Sequence, residues 1–254
     1  MGSLFHKAAA AAPGLVCGLL VLPGAQADVP TPIDRLSAGG SLSVTSDYIY
    51  RGVSESNDEP AVQGDLHLDT QHGTFLGAWA STRSQQLEPG ASGILELYLG
   101  QRIDLGSSWS GTLAARSRQY LGASETSDDY QELGASLSYL DRWSVAVTFI
   151  PNAVRYWFYR RLTRSPAYVA ETAAQWPLSR HLLATAGLGY YRTDGTGYGL
   201  ERATGYLYGN AGLALEYGAW RLDAGYYFAQ QGARRSFPYP LDRHRLAATL
   251  SWQF

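Results

Sequence analysis

His67 stands between Asp65 and Asp69, each two residues away. Residues two apart on an extended strand share a face. The trio could orient an imidazole as a general base, or offer oxygen and nitrogen to a cation. The plainer reading is a solvated histidine among carboxylates. The other histidines past residue 27 are His72, His181 and His244, and none has metal-ligand spacing. The single cysteine is Cys17. No metal site, cofactor or catalytic residue is expected.

Charges of both signs recur along the rest of the chain at even spacing. Asp47 and Arg51 are four apart. Glu96 and Arg102, Arg116 and Arg118, Arg221 and Asp223, and Arg243 and Arg245 repeat the parity. Glu132, Glu171 and Glu216 sit singly within similar stretches. If each segment is a strand, these side chains project from one face. Gathered around a channel, they would set up a transverse field that selects solutes. Alternatively they pair with one another and fill a narrow interior.

Strands must position them, because the hydrophobic pattern has a period of two. Leu246, Ala248, Leu250, Trp252 and Phe254 alternate with Arg245, Ala247, Thr249, Ser251 and Gln253. Leu95, Leu97 and Leu99 alternate with Glu96, Tyr98 and Gly100. Such alternation marks a strand with one apolar and one polar face. Twelve such strands are expected, near 41–52, 60–71, 74–83, 93–104, 108–120, 130–140, 142–151, 166–177, 181–192, 204–217, 219–230 and 241–254. The seventh could continue through the aromatic stretch 155–160. Tight turns at 71–73, 104–108, 141–142, 178–180 and 218–219 alternate with longer connections at 53–59, 84–92, 121–129, 152–165, 193–203 and 231–240.

Residues 1–27 read as a cleaved secretory signal: Lys7, an apolar run from Ala8 to Leu22, and Ala25-Gln26-Ala27 before Asp28. Residues 28–40 read as a periplasmic lead-in, and 41–254 as the barrel proper. The 254 residues carry 20 basic and 22 acidic side chains, so no basic face calls for nucleic acid. With 18 Tyr, 7 Trp and 7 Phe the chain is too aromatic to be a solvated tail.

A soluble sandwich also alternates, but it hides its apolar face and shows its charges. Here the polar face carries Gly, Ser, Thr, Tyr and paired charges, as a wet interior would. The apolar face carries Leu, Val and Ala, with Trp109, Tyr139, Trp143, Trp176, Trp220 and Trp252 near strand ends. Aromatic girdles at bilayer interfaces produce that placement. A strand protein in lipid must close on itself to satisfy its backbone. The fold class is therefore all-β, a transmembrane antiparallel up-and-down barrel in the bacterial outer membrane. Long connections face outward and short turns face the periplasm. Trp252 and Phe254 read as an assembly signal for the outer-membrane assembly machinery. The loop residues Arg234, Arg235 and Glu201-Arg202 are solvated or lie near lipopolysaccharide phosphates.

Three further stretches carry a resemblance. Ser46-Asp47-Tyr48-Ile49-Tyr50-Arg51-Gly52-Val53-Ser54, Pro60-Ala61-Val62-Gln63-Gly64 and Gly77-Ala78-Trp79-Ala80-Ser81 resemble the opening motifs of the TorF-type porins, a bacterial family catalogued as Gcw_chp. The resemblance runs over about residues 40–140. Tyr98 stands where that family's pattern has an acid. The resemblance implies an outer-membrane barrel with a porin-like role and no defined substrate.

The expected function is passive diffusion of small polar solutes through the barrel, with outer-membrane lipid and lipopolysaccharide as surroundings. A closed barrel with a structural or surface-binding role is the alternative. An outer-membrane lipid hydrolase is the third reading, and it would need a Ser–His pair at the lipid-facing rim.

Overall fold

In a computed structural model, residues 36–87, 90–122, 129–157, 160–194, 204–233 and 243–254 are described. The proposed signal and residues 28–35 lie outside them, as do Glu201, Arg202, Arg234 and Arg235.

Twelve antiparallel strands close into one barrel: β1 (Leu36–Thr45), β4 (Ala61–Thr70), β5 (Thr74–Thr82), β6 (Gly93–Asp104), β7 (Trp109–Leu121), β8 (Tyr130–Tyr139), β9 (Trp143–Trp157), β10 (Arg160–Pro177), β11 (Leu182–Thr193), β12 (Thr204–Tyr217), β13 (Trp220–Ala229) and β14 (His244–Gln253). Two further short strands, β2 (Ile49–Tyr50) and β3 (Val53–Ser54), form a separate hairpin. Neighbours in sequence pair with neighbours in space, and β1 closes the ring on β14 with Leu42 opposite Trp252. The Gly40 and Phe254 backbones exchange two hydrogen bonds of 2.9 and 3.0 Å at the seam.

The alternation sorts the side chains as a membrane barrel requires. Leu66 is 63% exposed whereas its neighbour Asp65 is 8% exposed. Apolar side chains thus face outward and polar ones inward, the reverse of a water-soluble barrel. Two aromatic belts mark the bilayer interfaces. At the short-turn end Trp109 meets Tyr139 at 4.8 Å, Trp143 meets Trp176 at 4.7 Å, and Trp252 meets Phe254 at 4.8 Å. At the other end Phe149 meets Tyr168 at 5.4 Å. Tyr168 and Trp176 lie on one strand, roughly 27 Å apart along it at about 3.4 Å per residue, or about 20 Å along the membrane normal at a tilt of about 40°.

Three boundaries differ from the sequence reading. First, β1 starts at Leu36, so residues 36–40 belong to the barrel and not to a lead-in. They pair with 66–70 of β4, where a Cβ on Gly39 would lie 2.6 Å from His67 Nε2, so any larger residue would displace the imidazole. Second, β1 ends at Thr45 rather than near residue 52. Residues 46–60 leave the wall and turn inward. Third, 152–157 and 160–165 are strand rather than loop, the first as the continuation of the seventh strand that the aromatic stretch allowed. β9 and β10 run on as a paired ribbon, with register shifts between Arg161 and Thr163 and between Ser165 and Ala167.

Candidate functional site

The barrel interior is organised around the inward segment between β1 and β4. Ile49 pairs with Ser54 and Tyr50 with Val53. The turn between them, Arg51-Gly52, has φ of 50° and 76°. Positive φ at both central residues is the twist that two-residue hairpins prefer. Asp47 ties the base: its Oδ1 accepts from Ser54 Oγ at 2.5 Å and Ser56 Oγ at 3.0 Å. The Tyr48 N–H donates to Ser56 Oγ at 2.8 Å, and the Glu55 N–H to the Tyr48 carbonyl at 2.7 Å.

This hairpin reaches walls on several sides. Towards β14, Asp47 Oδ2 meets Arg245 Nη1 at 3.1 Å, and Asp58 also pairs with Arg245. Towards β8, Arg51 Nη1 meets Glu132 Oε1 at 2.8 Å, and Tyr50 OH donates to the same oxygen at 3.0 Å. Towards β12, Tyr206 OH donates to the Arg51 carbonyl at 3.1 Å. Arg83, just past β5, donates to Glu55 Oε2 at 3.1 Å. Val53 enters an apolar cluster with Ile150, Ala167, Val169, Tyr206 and Tyr208. Those six are at most 3% exposed, so the lumen is filled at this level.

Arg118 on β7 is the hub opposite. It is 1% exposed, pairs with Glu96, and lies 3.6 Å from Glu55 Oε1. Its guanidinium donates to Tyr48 OH at 3.2 Å and covers the Tyr50 ring at 4.2 Å. Burying a charge is tolerable only with this density of partners. Tyr48 stands on the inserted segment rather than on a spanning strand. Burial pushes its hydroxyl above the usual tyrosine range, and the Arg118 charge opposes that rise.

A second layer of charge lines the wall towards the short turns. His67 Nδ1 is 2.7 Å from Asp65 Oδ1, and its Nε2 is 3.5 Å from Asp69 Oδ2. Tyr98 OH donates to Asp65 Oδ2 at 2.7 Å, so Tyr98 grips an acid two strands away along the wall. Arg102 Nη2 lies 3.7 Å from Asp69. Arg221 grips Asp223 with two bonds of 2.8 and 2.9 Å and also pairs with Glu216. Tyr208 OH donates to Glu171 Oε1 at 2.6 Å. Arg116 touches Glu132 only at 3.7 Å, and its Nε, like Arg51 Nε and Nη2, has no hydrogen-bond partner among the described residues.

Three of the residues proposed for the lumen sit differently from the sequence reading. Asp47 and Arg51 are not on β1 but on the inserted segment, because the chain leaves the wall after Thr45. Arg243 is exposed in a bend before β14, where its carbonyl accepts from Ala229. Asp65, His67, Asp69, Glu96, Arg102, Arg116, Arg118, Glu132, Glu171, Glu216, Arg221, Asp223 and Arg245 occupy inward positions of their strands. Sequence reasoning passed over Tyr48, Tyr50, Val53, Glu55, Arg83, Tyr206 and Tyr208. The one available signal was Arg51-Gly52, a turn dipeptide inside a supposed strand. Among the described residues, no group of three His, Cys, Asp or Glu could hold a metal ion. The inward His67 is held by two carboxylates, and the outward His244 is bonded by Tyr226 OH.

Residues 32–194 match a family described as "Bacterial protein of unknown function (Gcw_chp)". No curated protein matches the chain in sequence. Among solved structures, a NanC porin superposes with a TM-score of 0.56 at 9% identity, covering 86% of this chain and 99% of that one. A KdgM porin in complex with disordered oligogalacturonate superposes with a TM-score of 0.50, also at 9% identity and the same coverage. At such identity the likeness is one of fold.

Proposed function

The chain belongs to the bacterial Gcw_chp family, and from that membership and the barrel's interior we propose a porin-like channel in which residues 46–60 form the gate. Its architecture is that of outer-membrane channel barrels. The proposed traffic is passive diffusion of small polar solutes, in keeping with the TorF-type porin description that the opening motifs suggest. Export by the 1–27 signal, and recognition of Trp252 and Phe254 by the assembly machinery, belong to the same proposal.

One observation carries the reading. The obstruction is a separate segment, joined to the wall by ion pairs and hydroxyl bonds rather than woven into the strand ladder. A segment held that way can be displaced without opening the barrel. Behind it the wall presents Asp65, Asp69, Arg102, Arg116, Glu171 and Asp223, a polar surface suited to hydrated solutes.

The tight burial of Val53, Tyr206 and Tyr208 favours a second reading, a permanently closed barrel. Planar-bilayer recording of refolded protein separates the two. A channel gives discrete conductance steps that become more frequent when the segment is loosened by Arg51→Ala. Silence in both proteins, with normal barrel folding, refutes the channel.

A further inference from the structure

One step from the filled level towards the short turns, the inward positions change from apolar to charged. On β10 Val169 is followed on the same face by Glu171, and on β12 Tyr208 is followed by Asn210. On β8 Tyr130 is followed by Glu132, and on β7 the hub Arg118 is followed by Arg116. The tip of the hairpin adds Arg51, which meets Glu132. Arg116 and Glu132 are opposite each other in the ladder. Tyr208 OH reaches Glu171 Oε1 at 2.6 Å, and the charges of Arg51, Glu132 and Arg116 all act on Glu171. These side chains therefore share one region of the lumen.

They do not satisfy one another. Arg51 spends Nη1 on Glu132 Oε1 at 2.8 Å, while its Nε and Nη2 have no partner among the described residues. Arg116 Nε, Glu132 Oε2 and Asn210 Oδ1 make no hydrogen bond among them either. Arg51, Glu132, Glu171 and Asn210 are each no more than 6% exposed. Buried donors and acceptors are costly to leave unmade, so such a set in one place points to a ligand.

The region is reachable from the short-turn end. Further along β7, β8 and β9 the inward side chains are Thr112, Ser136, Ser138 and Ser144, all small and only half-buried. Next to Glu132 the inward position is Gly134, where a Cβ would come no closer than 3.7 Å to Thr148 Oγ1. A side chain would fit there, and glycine leaves the space beside Glu132 open.

The chemistry of the set narrows the ligand. Two guanidiniums and two carboxylates balance in charge. A bare anion would meet Glu132 and Glu171, and a bare cation would meet Arg51 and Arg116. Unspent donors on the arginines stand with unspent acceptors on Glu132 and Asn210. A hydroxyl both donates and accepts, so neighbouring hydroxyls serve both kinds of group and bring no charge.

We propose that Arg51, Arg116, Glu132, Glu171 and Asn210 form a binding subsite for a neutral polyhydroxylated solute. The proposal deepens the channel reading and rests on it, since the subsite lies where solutes meet residues 46–60. Because Arg51 belongs to the hairpin, the solute is held between the gate and the wall.

The test is equilibrium dialysis of radiolabelled D-glucose against full-length protein refolded in detergent, with folding checked by heat-dependent gel mobility. Saturable binding is expected. D-glucuronate, D-glucosamine and glycine should each displace the label roughly 10-fold less well than unlabelled glucose, because each brings charge to a balanced site. Arg116→Gln should weaken glucose binding roughly 10-fold and raise glucosamine relative to glucose, a change of rank order that a merely structural role would not produce. Asn210→Ala, which changes no charge, should weaken glucose binding by about 3- to 10-fold and keep the rank order. Absence of saturable binding to the folded wild type overturns the proposal, as does equal glucose affinity in both folded variants. Better displacement by glycine or by either charged sugar overturns the neutral-polyol assignment. Planar-bilayer recording separates this subsite from the channel reading. A barrel that binds glucose with this selectivity but never conducts upholds the subsite and refutes the channel. One that conducts while glucose neither binds nor interrupts the current refutes the subsite alone.

Discussion

Gly52 is the point at which the gate can be tested most directly. Its φ is 76°, and a Cβ placed on it would lie 2.7 Å from Tyr208 Cβ, 3.0 Å from Ala229 Cβ and 3.2 Å from the Phe228 carbonyl oxygen. None of these atoms is the free end of a flexible side chain, so the hairpin must lift from the wall. For Gly52→Ala the left-handed backbone costs about 1–2 kcal/mol, and overpacking a filled site costs about 1–3 kcal/mol more. Once the hairpin has left the wall, the Cβ contacts vanish and the backbone can relax. The seated state is therefore weakened by about 2–5 kcal/mol relative to the unseated one, which at about 1.4 kcal/mol per decade is some 30-fold to a few thousand-fold. The assay is single-channel recording in planar bilayers, alongside a urea titration of the folded barrel in vesicles. Open events should be far more frequent than in the wild type, with the barrel still folded. Unchanged conductance, together with a barrel that is merely less stable, would refute the gate and favour the closed interior.

Other expectations follow from the same geometry. Leu97→Arg puts a charge on the lipid face and should cost about 2–4 kcal/mol in a folding titration, whereas Glu96→Gln, one residue away and inward, should cost less because Arg118 keeps Glu55 and Tyr48 as partners. Arg116→Gln, replacing an inward cation that meets its nearest carboxylate only at 3.7 Å, should move reversal potentials in a salt gradient towards cation preference while single-channel conductance persists; an unchanged reversal potential in a conducting channel would show that Arg116 does not face the solute path. The two-residue turn Leu140-Asp141 has φ of 53° and 52°. Changing it to Asn-Gly, the pair such turns favour, should stabilise the barrel by about 1 kcal/mol or more in the same titration.

The sequence itself determined the wall. Strand alternation is a local property, since each residue's face is set by its parity along one strand. That is why Asp65, His67, Asp69, Arg116, Arg118, Arg221 and Asp223 could be assigned a face before any pairing was known, and why closure into twelve strands followed from apolar faces that only lipid could cover. The tertiary structure decided what fills the interior. Asp47 and Arg51 have the parity of a strand, and within residues 46–60 only the Arg51-Gly52 dipeptide signals a turn, without saying that the chain turns inward at Ser46. That choice is made by groups far away in sequence: Glu132, Arg118, Arg245 and Tyr206, which the closed ring brings together around the hairpin. The β9–β10 ribbon is the opposite case. Residues 152–165 were read as a long connection into which the seventh strand could continue, and the two strands do pair with each other past the point where their outer neighbours stop. Local pattern fixes which way a side chain points; only closure of the barrel fixes what it meets.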